Sequence, residues 1–389
     1  MHMSPAALGA LSLACACGVA KSFQLPTAPR LLSPLPASRS GVDEVDRRRF
    51  LAEASAVAAA GLISSLALPV AVNAAESKVI LITGSNSGIG KDAAAKLATM
   101  GHEVHLLCRT AAKAQLAKEE TGAAGAFECD LSSLGSVRAF AKQWGDRPVD
   151  VLCLNAGVAP ATKGEPAFTR EGYEVAIGTN HLGHFLLSSL LINSLEKTSL
   201  PKAKLVVTAS SVHDPDTPGG DVGSPAGLGD LAGLVQAVKT GQGFEMVDGS
   251  AYDGDKAYKD SKLCNVLFTR EAERRLRKKR SKVEASCFSP GLITSTGLFR
   301  NQSPLFSSLF GFAATNLLKV AASVSQGGDT LVEMATSEPK GGAFLATQPG
   351  KPGSAFEVRE VSKEAQDTQK GEKLWQLSSE LVGLGGKGI

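Results

Sequence analysis

The sequence predicts a doubly wound α/β fold on a mainly parallel β-sheet, starting near Lys78. From that point short, continuously apolar runs recur, as strands buried on both faces require. Helical patterns separate them, and a glycine-rich loop joins the first run straight to the first helix. Strands that alternate with helices in this way build parallel sheets covered on both faces.

The first run is Lys78 to Thr83, KVILIT. Gly84-Ser85-Asn86-Ser87-Gly88-Ile89-Gly90 follows, then the helical pattern Lys91 to Met100. Glycines let the backbone approach a pyrophosphate, and the helix N-terminus offers free N–H groups and the positive end of its dipole. Strand, glycine loop and helix in that order make a Rossmann-type nucleotide site. The second strand, Glu103 to Cys108, ends in Arg109, with Lys113 one helical turn on. An acid there would hold a ribose 2′-hydroxyl, whereas an arginine accommodates a 2′-phosphate, so NADPH is expected. Further strand-like segments end at Asp130-Leu131, at Asn155-Ala156-Gly157 after Val149 to Leu154, and at Ser210 after Leu205 to Ala209.

Tyr258 and Lys262 stand at i and i+4, on one face of a helix. A phenol at its reference pKa near 10 is a poor acid at neutral pH. A fixed ammonium one turn away, with the charge of a nicotinamide, would lower that pKa and let the phenol deliver a proton. Lys262 is also placed to hold the nicotinamide ribose. Ser210, with Ser211 as the alternative, is the candidate to hydrogen-bond the reacting group. His181 and His184 read as packing or helix-bonding residues.

A net charge of +3 over 389 residues gives no argument for a nucleic-acid partner. Histidine is scarce and no His/Cys pair has ligand spacing, so no metal is expected. Cys108, Cys129, Cys153 and Cys287 lie in or beside apolar runs, as small buried thiols do, not as a disulfide framework.

Residues 1–77 read as an address. Met1 to Val19 is short, apolar and rich in Ala and Leu, and a Pro/Ser/Arg-rich tract without acid runs on to Ser40. Arg47-Arg48-Arg49 then precedes the apolar run Ala54 to Val72, closed by Val72-Asn73-Ala74, as in a twin-arginine signal. These layers are similar to plastid presequences that end at the thylakoid. The other reading is a single membrane anchor at 54–72, barely long enough to span.

The spacing Gly-x-x-x-Gly-x-Gly after Thr83 resembles the short-chain dehydrogenase/reductase superfamily. Longer blocks narrow this: Gly178 to Phe185 (GTNHLGHF), Gly229 to Leu234, Ala257 to Asn265 (AYKDSKLCN), Thr296 to Arg300 (TGLFR) and Leu374-Trp375 through Leu384. Together they resemble the light-dependent protochlorophyllide oxidoreductase family from Lys78 to Leu384. The resemblance implies a sheet of about seven strands and, in a plastid, light-started reduction of ring D of protochlorophyllide by NADPH. It implies that Asp130-Leu131 contacts adenine, and that Asn155-Ala156-Gly157, Pro290 and Gly291 flank the cofactor. It further implies that Asn180 holds a proton-relay water and that Tyr258 and Lys262 are catalytic.

The chain departs from the family at Ala159, Ser289 and Leu292, where tyrosines and a cysteine stand in relatives. That leaves open a different bulky apolar substrate, or a non-catalytic pigment-binding role. Pro304 to Leu318 is apolar and Phe-rich, a substrate lid or membrane-dipping segment, or else a core helix. Arg274 to Lys282 is a solvated basic helix end or a contact for anionic thylakoid lipid. An oligomer is left open.

Overall fold

The computed structural model describes residues 76–162, 164–293, 322–348, 351 and 353–385. The expected address up to residue 75, the TGLFR block and the Phe-rich segment lie outside the described residues. The strands are β1 (Val79–Thr83), β2 (Glu103–Cys108), β3 (Gly125–Glu128), β4 (Val151–Leu154), β5 (Ala203–Thr208), β6 (Val283–Ser289), β7 (Phe344–Ala346) and β8 (Glu357–Arg359). The helices are α1 (Gly88–Thr99), α2 (Ala111–Thr121), α3 (Leu134–Trp144), α4 (Val175–Glu196), α5 (Ala232–Thr240), α6 (Gly254–Lys278), α7 (Val324–Thr336) and α8 (Thr368–Leu381).

The sheet runs β3-β2-β1-β4-β5-β6-β7-β8. β1 through β7 pair in parallel and β8 is antiparallel to β7. The expectation of about seven strands is thus corrected to eight. β8 is three residues long with Val358 exposed, too short and too polar to announce itself as a strand.

Alternation along each strand sorts side chains to the two faces. Ile80, Ile82, Val104 and Leu106 pack with Ala93, Leu97 and Leu331, under α1 and α7. Leu81, Leu107, Leu152 and Leu154 pack with Phe140, Phe185, Leu263 and Phe268, under α3, α4 and α6. α8 seals the second face: Trp375 stacks on Phe268 at 5.8 Å and meets Phe185 edge-on at 4.8 Å. The helix α4 is apolar and long enough to cross a membrane by composition, but it lies mostly inside the protein. Cys108, Cys129, Cys153, Cys264 and Cys287 are free and buried, as expected for all but Cys264, on which the sequence was silent.

The long connection from β5 to α6 is anchored on α6 by two lysines. Lys256 bridges Asp260 at 2.6 Å and Asp248 at 2.9 Å, and donates to the Gly227 carbonyl. Buried Lys259 donates to the carbonyls of Val222 and Ser224 and pairs with Asp255.

Candidate active site

The sheet order reverses between β1 and β4, and open α/β sheets bind ligands at the carboxyl ends of strands beside such a switch. β1 leads into the glycine loop there, and β4 into Asn155-Ala156-Gly157. Gly84 has φ +66°, and a Cβ on it would stand 2.8 Å from the Cα of Ala156. A Cβ on Gly90 would stand 2.5 Å from the Asn155 amide nitrogen. Both glycines are therefore needed for the loop to lie flat against the turn after β4. Ser87 precedes α1 without capping it by its side chain, and the first turn of α1 carries no acid. An uncapped helix start behind a glycine loop fits the phosphates of a dinucleotide.

The other predicted cofactor residues fall into two groups. Arg109 and Lys113 are exposed beyond β2, and among the described residues neither side chain has a hydrogen-bond or ion-pair partner. Asn86, Ser87 and Ile89 remain in the loop and at the start of α1, and Pro290 and Gly291 lie half-buried past β6. By contrast, Ser85 is buried and donates to the Ile82 carbonyl at 2.9 Å, which leaves its backbone for a ligand. Asp130 accepts from both the backbone and the hydroxyl of Ser132, at 3.0 and 2.7 Å, and Leu131 is part of the core.

α6 brings Tyr258 and Lys262 to the end of β5. Lys262 Nζ donates to the Thr208 carbonyl at 3.2 Å and stands 5.6 Å from the centre of the Tyr258 ring. Burial pushes the Lys262 ammonium down to about 8. Burial also pushes the Tyr258 phenol up, and no opposing charge offsets it. Lys262 is buried and Tyr258 half-buried, and burial disfavours each one's charged form.

Asn180 sits in a π-helical turn, Gly178–Leu182, within α4. Such turns are rare and concentrate at functional sites. Its side chain accepts from Val158 N–H at 2.8 Å and donates to the Val158 carbonyl and the Ser261 hydroxyl, each at 2.9 Å. Ser261 in turn donates to the Tyr258 carbonyl at 2.6 Å. A Cβ on Gly157 would lie 3.6 Å from both Lys262 Nζ and Asn180 Oδ1, so three predicted residues converge there. Ser210 follows β5, and among the described residues its hydroxyl has one long contact, from Val212 N–H at 3.4 Å. Ser289 does not line an open pocket with its hydroxyl. It is buried and accepts from Ser211 N–H at 3.2 Å.

Sequence reasoning assigned no role to the Thr83 hydroxyl, yet it joins these parts. It accepts from the backbone N–H groups of Asn155 and Ala156 at 2.8 and 3.0 Å, and meets His184 Nε2 at 2.9 Å. His184 Nδ1 lies 3.0 Å from the Asn180 carbonyl. A carbonyl can only accept, so Nδ1 carries the proton and Nε2 accepts from Thr83. Burial holds His184 neutral, at about 3. His181 instead ties α4 to α8, bonding to Ser378 at 2.8 Å.

A model of the short chain dehydrogenase family matches residues 78–220. A protochlorophyllide reductase from Daucus carota, named as chloroplastic, is 39% identical over 315 residues, 78% of either chain. Protochlorophyllide reductase A of Oryza sativa is 40% identical, covering 79% of this chain and 81% of its own. The solved structure of an uncharacterized protein from Mycobacterium Paratuberculosis superposes with a TM-score of 0.58 at 27% identity, over 79% of this chain and 93% of that one. By its site and by this likeness over most of its length, the chain belongs to the protochlorophyllide reductase family of the short-chain dehydrogenases, oxidoreductases that use a nicotinamide cofactor.

Proposed function

We propose that the protein reduces the ring D double bond of protochlorophyllide with NADPH, driven by light, in a plastid. The convergence of Lys262 and Asn180 on Gly157, beside Tyr258, carries this reading. It is supported by relatives that are named protochlorophyllide reductases. NADPH supplies the hydride when bound. Tyr258 delivers the proton from its phenol. Lys262, held by the Thr208 carbonyl, keeps a positive charge next to the phenolate that remains. Asn180 orders the water that restores the proton, and Ser210 orients the reacting group. Arg109 and Lys113, whose side chains have no partner among the described residues, take the 2′-phosphate. Residues 78–389 form the reductase domain and 1–77 a removable address that ends at the thylakoid. Lys278, Lys279, Arg280 and Lys282, exposed at the end of α6, support peripheral contact with anionic lipid.

Illumination of the purified protein with NADPH and protochlorophyllide should shift the pigment absorbance toward chlorophyllide, and Tyr258→Phe should slow that shift about 100-fold or more. Carbonyl reduction in the dark without pigment turnover would contradict the reading. Arg109→Ser should lower the preference for NADPH over NADH by about 10- to 100-fold, the worth of a charge-assisted contact. An unchanged ratio of kcat/KM values would remove Arg109 from that role. A fluorescent reporter fused to residues 1–77 should enter plastids and resist protease in isolated thylakoids. A cytosolic reporter would refute the address.

A further inference from the structure

Among the described residues the hydroxyl of Ser210 has no strong partner of its own, so its position is set by the backbone that carries it. That backbone is held by His213, a residue the sequence does not mark. His213 ends the 3-10 turn Ser211–His213 and is 1% exposed. Its Nδ1 stands 2.7 Å from the Ser210 carbonyl, and its own N–H donates to the same oxygen at 3.2 Å. The backbone N–H of Ser362 donates to its Nε2 at 3.3 Å. A carbonyl accepts and an N–H donates, so the ring is fixed as the neutral Nδ1–H tautomer with both nitrogens satisfied. Its edge packs on Phe344 of β7, at 4.9 Å and 70°. One buried imidazole thus ties the Ser210 loop to β7 and to the segment that leads into α8. Ser289 holds the next peptide through Ser211 N–H.

We infer that His213 is a positioning residue for the reaction, which fixes the Ser210 carbonyl and so aims the Ser210 hydroxyl at the substrate. This rests on the reading of Ser210 given above. Displacement of a substrate-facing group by a fraction of an ångström to 1 Å costs turnover far more than it costs cofactor binding.

The test uses two replacements that each keep one of the ring's bonds. An asparagine amide nitrogen occupies the place of Nδ1 and can still donate to Ser210. A glutamine amide reaches the place of Nε2 and leaves the Ser210 carbonyl without its donor. His213→Asn should keep kcat within about threefold of the wild type, and His213→Gln should lose about tenfold in kcat with KM for NADPH unchanged. Thermal unfolding of both variants should fall by similar amounts, because both lose the ring's packing on Phe344. In a Ser210→Ala background, His213→Gln should cause no further loss. Equal kcat for the two variants, or a full tenfold loss on top of Ser210→Ala, would overturn the inference. Normal turnover in Ser210→Ala alone would instead remove the reading of Ser210.

Discussion

A single hydroxyl holds the halves of this active site in register. Thr83 ends β1, and its oxygen takes the first two N–H groups of the turn after β4 while its proton goes to His184 of α4. The Thr83 and His184 side chains are buried and the Asn155 and Ala156 N–H groups half-buried, and each buried donor or acceptor left unpaired would cost about 1–3 kcal/mol. The glycine loop begins at the next residue. The same oxygen therefore fixes where the nucleotide loop starts, where Asn155-Ala156-Gly157 lies and, through His184, where the Asn180 carbonyl points.

The second axis is α6, which divides its faces among separate tasks. Lys256 and Lys259 grip the long connection after β5, Tyr258 and Lys262 form the proposed catalytic pair at the end of β5, and Leu263, Leu267 and Phe268 enter the core. Helical spacing makes this possible in ten or so residues, because positions three and four apart share a face. Thr208 closes the arrangement from the sheet, since its carbonyl accepts from both Lys262 and Asn265 at 3.2 Å. Strand end, helix and glycine turn are thus locked pairwise. The burial that locks them also pushes the Tyr258 phenol up and the Lys262 ammonium down.

Much of this was legible in the amino-acid order. β2 begins and ends where the apolar run Glu103 to Cys108 does, and the helix expected under Tyr258 and Lys262, which sets them one turn apart, is present as α6. What was not legible depends on partners remote in sequence. Thr83 and His184 are 101 residues apart, and His213 and Ser362 are 149 apart. No local pattern announces that two polar groups will be buried against each other. The π-helical turn at Asn180 and the short β8 were hidden for a different reason, since neither changes the hydrophobic period enough to be read. Ser289, one of the departures from the family, accepts from the Ser211 backbone, a contact that the sequence does not announce.

The most direct test of the Thr83 node is a comparison of Thr83→Val with Thr83→Ser, measured by NADPH affinity and by pigment turnover. Valine keeps the shape and removes the hydroxyl, whereas serine keeps the hydroxyl. The account requires that Thr83→Val weaken NADPH binding and lower kcat together, each by about tenfold. Thr83→Ser should stay near the wild type in both. Wild-type binding and turnover in Thr83→Val would contradict it.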